Sequence, residues 1–217
     1  MRQTRIVNAR DLLPQDISAL ARELQAGAVA VLPTDTVYGI GTGAYCEKSI
    51  QTIYQIKNRP AAVPLQLLAG SVEQVRQAAY LSAQAEKLAA QFWPGALTLV
   101  LAPTRQGQSL THGFKGLGFR VPGDPFLSRL LTAMTAPLAC TSANRHGQPV
   151  LTEEKDLIDT FNGQVDYILL AGRLRPVASS VIDLTAQPRL LRLGAIARHA
   201  LEKVLEQPLR DKEEEKL

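Results

Sequence analysis

Three short polar stretches carry the residues whose types could do chemistry. The first, 33-PTDTVYGIGTGA-44, sets Thr34, Asp35, Thr36 and Tyr38 after an apolar run and follows them with Gly39, Gly41 and Gly43. The second, 57-KNRP-60, offers Lys57 and Arg59 two residues apart, and the third, 140-CTSAN-144, brings Thr141, Ser142 and Asn144 together. A guanidinium fork grips two oxygens of a phosphate or carboxylate, while an ammonium supplies a point charge. Glycines in a turn would let the backbone approach a ligand closely. Each stretch alone also reads as ordinary local structure: a Gly-rich turn, solvated cations at a helix C-terminus, and an Asx or Ser/Thr turn.

Arg120 in FRVP, Ser179 and Ser180 before an apolar run, and Arg192 before Gly194 extend the pattern. Taken together these positions give Lys57, Arg59, Arg120 and Arg192 with many hydroxyls and no carboxylate pair. Asp35, Asp124 and Asp183 stand apart in sequence, and His112, His146 and His199 match no zinc spacing. Neither a GxxxxGK[ST] phosphate loop nor a GxSxG elbow is present. Such a set collects anions and works by orientation and charge stabilisation rather than through a side-chain nucleophile.

The elements that must hold these residues alternate. Residues 14–27 place Ile17, Leu20, Ala21 and Leu24 at helical spacing and stop at Gly27, feeding a buried strand over 28–33. After the Gly-rich turn, 47–59 is helical, with Lys57 at its end and Pro60 stopping it. A strand over 64–70 precedes helices at 71–80 and 82–93, capped by Ser71 and Ser82. Strands at 96–103 and 117–122, adjacent in sequence, suggest antiparallel pairing. Then follow a helix over 125–134, a strand over 137–144 running into a polar turn, a helix over 152–161, and two last strands at 165–172 and 180–185 ahead of 189-RLLRLG-194. This alternation predicts an α/β domain with a mixed sheet, its ligand site at loops leaving the strands' carboxyl ends. The expected organisation is one domain over 1–205 and a charged tail over 206–217.

Composition sets the bounds. The chain has 217 residues, 46% hydrophobic and 20% charged, an ordinary balance for a globular domain. Its 24 Lys+Arg against 20 Asp+Glu give a net charge of +4. The segment 211-DKEEEK-216 holds four acids and two bases, so residues 1–210 are more basic than the total implies. Anionic ligands fit this balance, and RNA contact is compatible with it. Yet the chain has only 5 Phe, 5 Tyr and 1 Trp, several of them in apolar runs, and so lacks the stacking platforms of common RNA modules. Cys46 and Cys140 form neither a disulfide framework nor a metal motif. With no secretory leader at the N-terminus and no apolar run of about 18 residues, a cytoplasmic location without a membrane span is expected.

In this order, PTDTVYGIG, KNRP followed by PL, FRVP, TSAN and SSVIDLT with LRLGAI make the chain resemble the YrdC-like threonylcarbamoyl-adenylate synthases of the TsaC type. The likeness runs from about 14 to 198. It implies a YrdC-like fold and condensation of L-threonine, bicarbonate and ATP, with Mg²⁺, into threonylcarbamoyl-adenylate and pyrophosphate. A partner complex would pass the threonylcarbamoyl group to tRNA beside the anticodon. By the same resemblance Thr36, Tyr38, Arg120, Thr141 and Ser180 bind threonine. Lys57 and Arg59 are the catalytic anion clamp, and Ser142, Ala143, Asn144 and Arg192 join them on ATP. Val63 and Leu68 stand where some members carry polar residues. A binding module of the same fold, contacting RNA without synthase activity, is the alternative.

Overall fold

A computed structural model describes residues 3–60, 62–174 and 177–211. Among these residues eleven strands form one mixed sheet in the order β1-β8-β2-β3-β7-β4-β6-β5-β9-β10-β11. Their ranges are β1 Arg5–Asn8, β2 Ala30–Leu32, β3 Gly39–Gly43, β4 Gln66–Leu68, β5 Leu97–Leu101, β6 Leu117–Arg120, β7 Leu138–Ser142, β8 Tyr167–Leu170, β9 Ser180–Asp183, β10 Arg189–Arg192 and β11 Arg210–Asp211. The helices are α1 Pro14–Gln25, α2 Glu47–Lys57, α3 Val72–Ala78, α4 Ala83–Phe92, α5 Pro125–Ala133, α6 Glu154–Phe161 and α7 Arg198–Leu205. A short 3-10 helix covers Gln106–Leu110.

The caps read from sequence form as expected: Ser71 and Ser82 accept from the backbone N–H groups of Gln74 and Ala85. Pro14 and Pro125 open α1 and α5, where a missing N–H costs nothing. Helices α1 and α5 bury Leu20, Leu24, Leu127 and Leu130 against Leu32 and Leu138 of the sheet. The other face receives Ile53 of α2 and Leu157 and Phe161 of α6, packed with Val31, Ile40 and Ile168. Around β5, β6 and β9 a third cluster gathers Leu88, Leu97, Leu99, Phe119, Ile182 and Leu201. β5 and β6 pair antiparallel, as their adjacency suggested.

One expectation is corrected here. The glycines after Tyr38 form no turn: Gly39–Gly43 is a fully buried strand, antiparallel to both β2 and β7. Their role is close packing of protein on protein. A Cβ on Gly39 would lie 2.6 Å from the Cys140 sulfur, and one on Gly41 would lie 2.9 Å from the Ala139 carbonyl oxygen. Ile40, of opposite parity, faces α2.

Strands β1 and β11 and helix α7 had no counterpart in the sequence reading. Within the expected tail, Leu209 is buried and Arg210–Asp211 pairs with β10, while 212–217 fall outside the described residues.

Candidate active site

A cleft of about 280 Å³ opens over one face of the sheet's middle. Its floor is built from strand residues of matching parity: Gln66 of β4, Thr98 and Val100 of β5, Gly118 and Arg120 of β6, and Val181 of β9 with Ser179 just before it. The strands' own faces, more than the loops at their ends, therefore make the floor. Thr36 and Val37, between β2 and β3, close one side with Cys140, Thr141 and Ser142 of β7; Arg59 and Arg192 flank it elsewhere.

Each arginine enters with part of its donor set already bound. Arg120 is 1% exposed and uses three of its five N–H groups, on the Gly95 carbonyl at 2.9 Å, the Thr36 hydroxyl at 2.9 Å and the Asp35 carboxylate, which leaves two. Arg59 donates to the Val63 and Pro64 carbonyls at 3.1 and 3.0 Å. Arg192 donates to the Ser179 carbonyl and hydroxyl, both at 3.0 Å, so three of its N–H groups remain, while Arg59, which also bonds Tyr54, keeps two. The pKa of Arg192 is lowered by the desolvated cleft and then by the charge of Arg120, so the two cations are electrostatic neighbours. A site that holds repelling cations together is built for an anion. Thr141 is 9% exposed, lines the cleft, and its hydroxyl has no hydrogen-bond partner among the described residues.

The fold separates residues that sit side by side in sequence. α2 ends on Asn58 in the left-handed conformation, φ 49°, so the chain reverses between Lys57 and Arg59. Arg59 reaches the cleft, while Lys57, 1% exposed, turns behind it. Its ammonium donates to the Ser142 carbonyl at 2.5 Å, to the Asn144 carbonyl, and to Asn144 Oδ1 at 3.2 Å. Burial first, then the charge of Arg59, depress its pKa to about 8. It is not a solvated helix-end cation.

Several expected ligand contacts fall outside the cleft. Tyr38 is no wall of it: 1% exposed, it lies in the α2–α6 core, and its hydroxyl donates to the Gly172 carbonyl and accepts from the Ala171 N–H. Ser180 points away as well; its hydroxyl donates to the Ile196 carbonyl and accepts from the N–H groups of Gly194 and Ile196. Strand alternation explains this, since the neighbouring Ser179 takes the cleft side, bonded to Thr98 and Arg192. Ala143 is buried in the same core as Tyr38, and Asn144 sits behind Ser142. Leu68 is fully buried against α5, and Val63 contributes its carbonyl to Tyr54 and Arg59.

Ser179, singled out beside Ser180, takes the place expected of Ser180, and Gln66 and Thr98 are cleft residues that sequence reasoning did not select. Their signal was same-face parity on strands whose pairing was not known. Two acids that stand apart in sequence are neighbours in the fold: burial raises the pKa of Asp124, and the nearby charge of Asp35 raises it further. Among the described residues no group of three His, Cys, Asp or Glu could hold a metal ion. No described helix is long and apolar enough to cross a membrane.

The Sua5/YciO/YrdC family model, described as telomere recombination, matches residues 22–194. The threonylcarbamoyl-AMP synthase of Pyrococcus abyssi is 35% identical over 207 residues, 93% of this chain and 61% of its own. That of Bacillus subtilis is 31% identical over 194 residues, 87% of this chain and 56% of its own. The chain thus spans less than two thirds of the length of either. The crystal structure of P. abyssi Sua5 complexed with L-threonine matches with TM-score 0.89 and 34% identity, over 96% of this chain and 63% of that one. The family model spans most of the chain and the backbone match covers 96% of it, and the chain belongs to the Sua5/YciO/YrdC family.

Proposed function

We propose that the protein is an L-threonylcarbamoyladenylate synthase, a nucleotidyltransferase that condenses L-threonine, bicarbonate and ATP and releases pyrophosphate. The observation that carries this reading is the convergence of Arg59, Arg120 and Arg192, with N–H groups to spare, on one hydroxyl-lined cleft. Threonine carboxylate, carbamate and triphosphate are all anions of the kind such a cleft collects. The synthase names borne by two relatives, and the threonine held in the P. abyssi Sua5 structure, support it.

Arg120 holds the amino-acid carboxylate with the Thr141 hydroxyl beside it, while Thr36, whose proton goes to Thr34, orients Arg120 and leaves a lone pair for a substrate donor. Arg59 and Arg192 hold the phosphates, and Ser142 lines the same cleft. Bicarbonate takes up a proton and loses water to give CO2, the threonine amine adds to its carbon and returns a proton, and a carbamate forms. A carbamate oxygen then attacks the α-phosphorus in line, and pyrophosphate carries off the electron pair of the broken P–O bond. The chain's part is to position these anions and offset their charge as pyrophosphate departs. The cleft's donor set is cationic and hydroxylic and offers no carboxylate cage, so Mg²⁺ belongs to the nucleotide substrate.

The product is a mixed anhydride suited to onward transfer of its threonylcarbamoyl group, for which we place a tRNA-modifying partner downstream and a cytoplasmic setting. The test is mass spectrometry of the reaction with ¹³C-bicarbonate. A threonylcarbamoyl-adenylate heavier by one mass unit supports the reading, and an unlabelled adenylate contradicts it.

A further inference from the structure

We propose that Lys57 and Asn144 form a buried clasp that holds the Ser142 hydroxyl as a hydrogen-bond acceptor towards the cleft, so that Lys57 is a positioning residue rather than a phosphate ligand. The inference rests on the synthase reading for its assay but is drawn from hydrogen-bond accounting.

An ammonium has three donors, and all three of Lys57 are spent on the 142–144 turn: the carbonyls of Ser142 and Asn144 and the Asn144 side-chain oxygen. No N–H remains for a phosphate unless this turn is dismantled. The Asn144 amide is fixed in orientation, because its nitrogen donates to the Arg145 carbonyl at 3.0 Å and the Gln148 carbonyl at 2.6 Å. Its oxygen must therefore face Lys57 and Ser142. Ser142 Oγ lies 2.6 Å from that oxygen, and the one proton of the hydroxyl is committed there.

What Ser142 can offer the cleft it lines is a lone pair. It recognises a donor on the substrates, of the class of an amine or a hydroxyl, and not a phosphate oxygen. The Lys-x-Arg and Ser-x-Asn stretches thus divide their labour: Arg59 and Ser142 meet the ligand, while Lys57 and Asn144 stand behind.

The charged and titratable groups that act on Lys57 are Arg59 on its own connection and the Cys140 thiol of β7; from the turn beyond, the His146 backbone N–H donates to the Lys57 carbonyl at 2.8 Å. Arg59 is the one whose charge lowers the ammonium pKa, after burial itself. A neutral amine has two donors for three acceptors, so loss of the proton loosens the turn that orients Ser142.

The test is a double-mutant cycle of Lys57→Met and Ser142→Ala, read as kcat and KM for ATP and for threonine, with melting curves to show that each variant folds. Wild-type turnover checks the synthase reading by itself. If Lys57 acts through Ser142, each single change lowers kcat/KM by roughly 10- to 100-fold. The double variant then falls within about 3-fold of the worse single, and KM for ATP moves by no more than about 3-fold. Multiplying effects, or a KM for ATP raised tenfold by Lys57→Met alone, would overturn the clasp. A pH profile keeps the idea exposed even if a variant misfolds. Wild-type kcat should decline above a pH near 8, and a Lys57→Arg protein, which keeps a permanent cation there, should lose that limb. An unchanged alkaline limb in that variant would also contradict the proposal.

Discussion

Arg120 and Arg192 line the same cleft close enough for the charge of one to depress the pKa of the other. A bound anion relieves that repulsion. Among the described residues Arg192 is held by Ser179, on an exposed strand end, so Arg192→Ala should leave the melting temperature nearly unchanged. It should raise KM for ATP roughly 10- to 100-fold, the range of one charge-assisted hydrogen bond. Arg120→Ala should weaken threonine binding and also destabilise the fold, because it strips Asp35 of its buried partner. Steady-state kinetics beside thermal melts would separate the two behaviours.

Thr141 presents a hydroxyl that no described residue uses. Thr141→Val keeps the shape and deletes only that group. Stability should hold or rise slightly, while KM for threonine increases about 2- to 10-fold, the span of one neutral hydrogen bond. Calorimetric titration with threonine against ligand-free melting would check both halves.

Gly39 touches Cys140 at a distance that leaves no room for a methyl group. Gly39→Ala should cost about 1–3 kcal/mol of stability through overpacking of the β3–β7 contact. Cys140→Ala removes the sulfur that the new Cβ would strike at 2.6 Å, so the double variant should recover much of the loss. Urea unfolding of the four proteins measures this coupling, and additive losses would contradict the packing account.

Lys57 also ties stability to pH. Its folded pKa of about 8 lies below the ordinary 10.5, so between those values the unfolded chain holds the proton more tightly. The contribution of this group to stability therefore rises with pH through that window, by at most about 1.4 kcal/mol per pH unit. Wild type should gain on Lys57→Met as pH increases from 8 to 10.5. That trend runs opposite to the loss of turnover argued for the same deprotonation. Paired unfolding curves at several pH values would show it.

Much of the fold was readable because helical periodicity, Ser caps and N-terminal prolines are local signals that tertiary packing left intact. The segment 39–43 was not, because glycine usually marks a turn, and the Cys140 and Leu138 side chains that demand it are about a hundred residues away. β1 and β11 are four and two residues long and largely exposed, so they carry no hydrophobic pattern of their own. The site residues were found as a set of motifs, yet which member of each faces the ligand depended on parity and chain reversal. Ser179 rather than Ser180, and Arg59 rather than Lys57, followed from strand alternation and the left-handed Asn58. Gln66 and Thr98 become site residues only once β4, β6 and β5 are seen side by side.

The central claim is that one cleft gathers three substrates into a single reaction. Pyrophosphate release by the purified protein with ATP and Mg²⁺ tests it most directly when threonine and bicarbonate are each omitted in turn. Release that needs both, and that serine or glycine does not support equally, is the predicted result. Release independent of either, or none at all beside salt-sensitive binding of structured RNA, would contradict it.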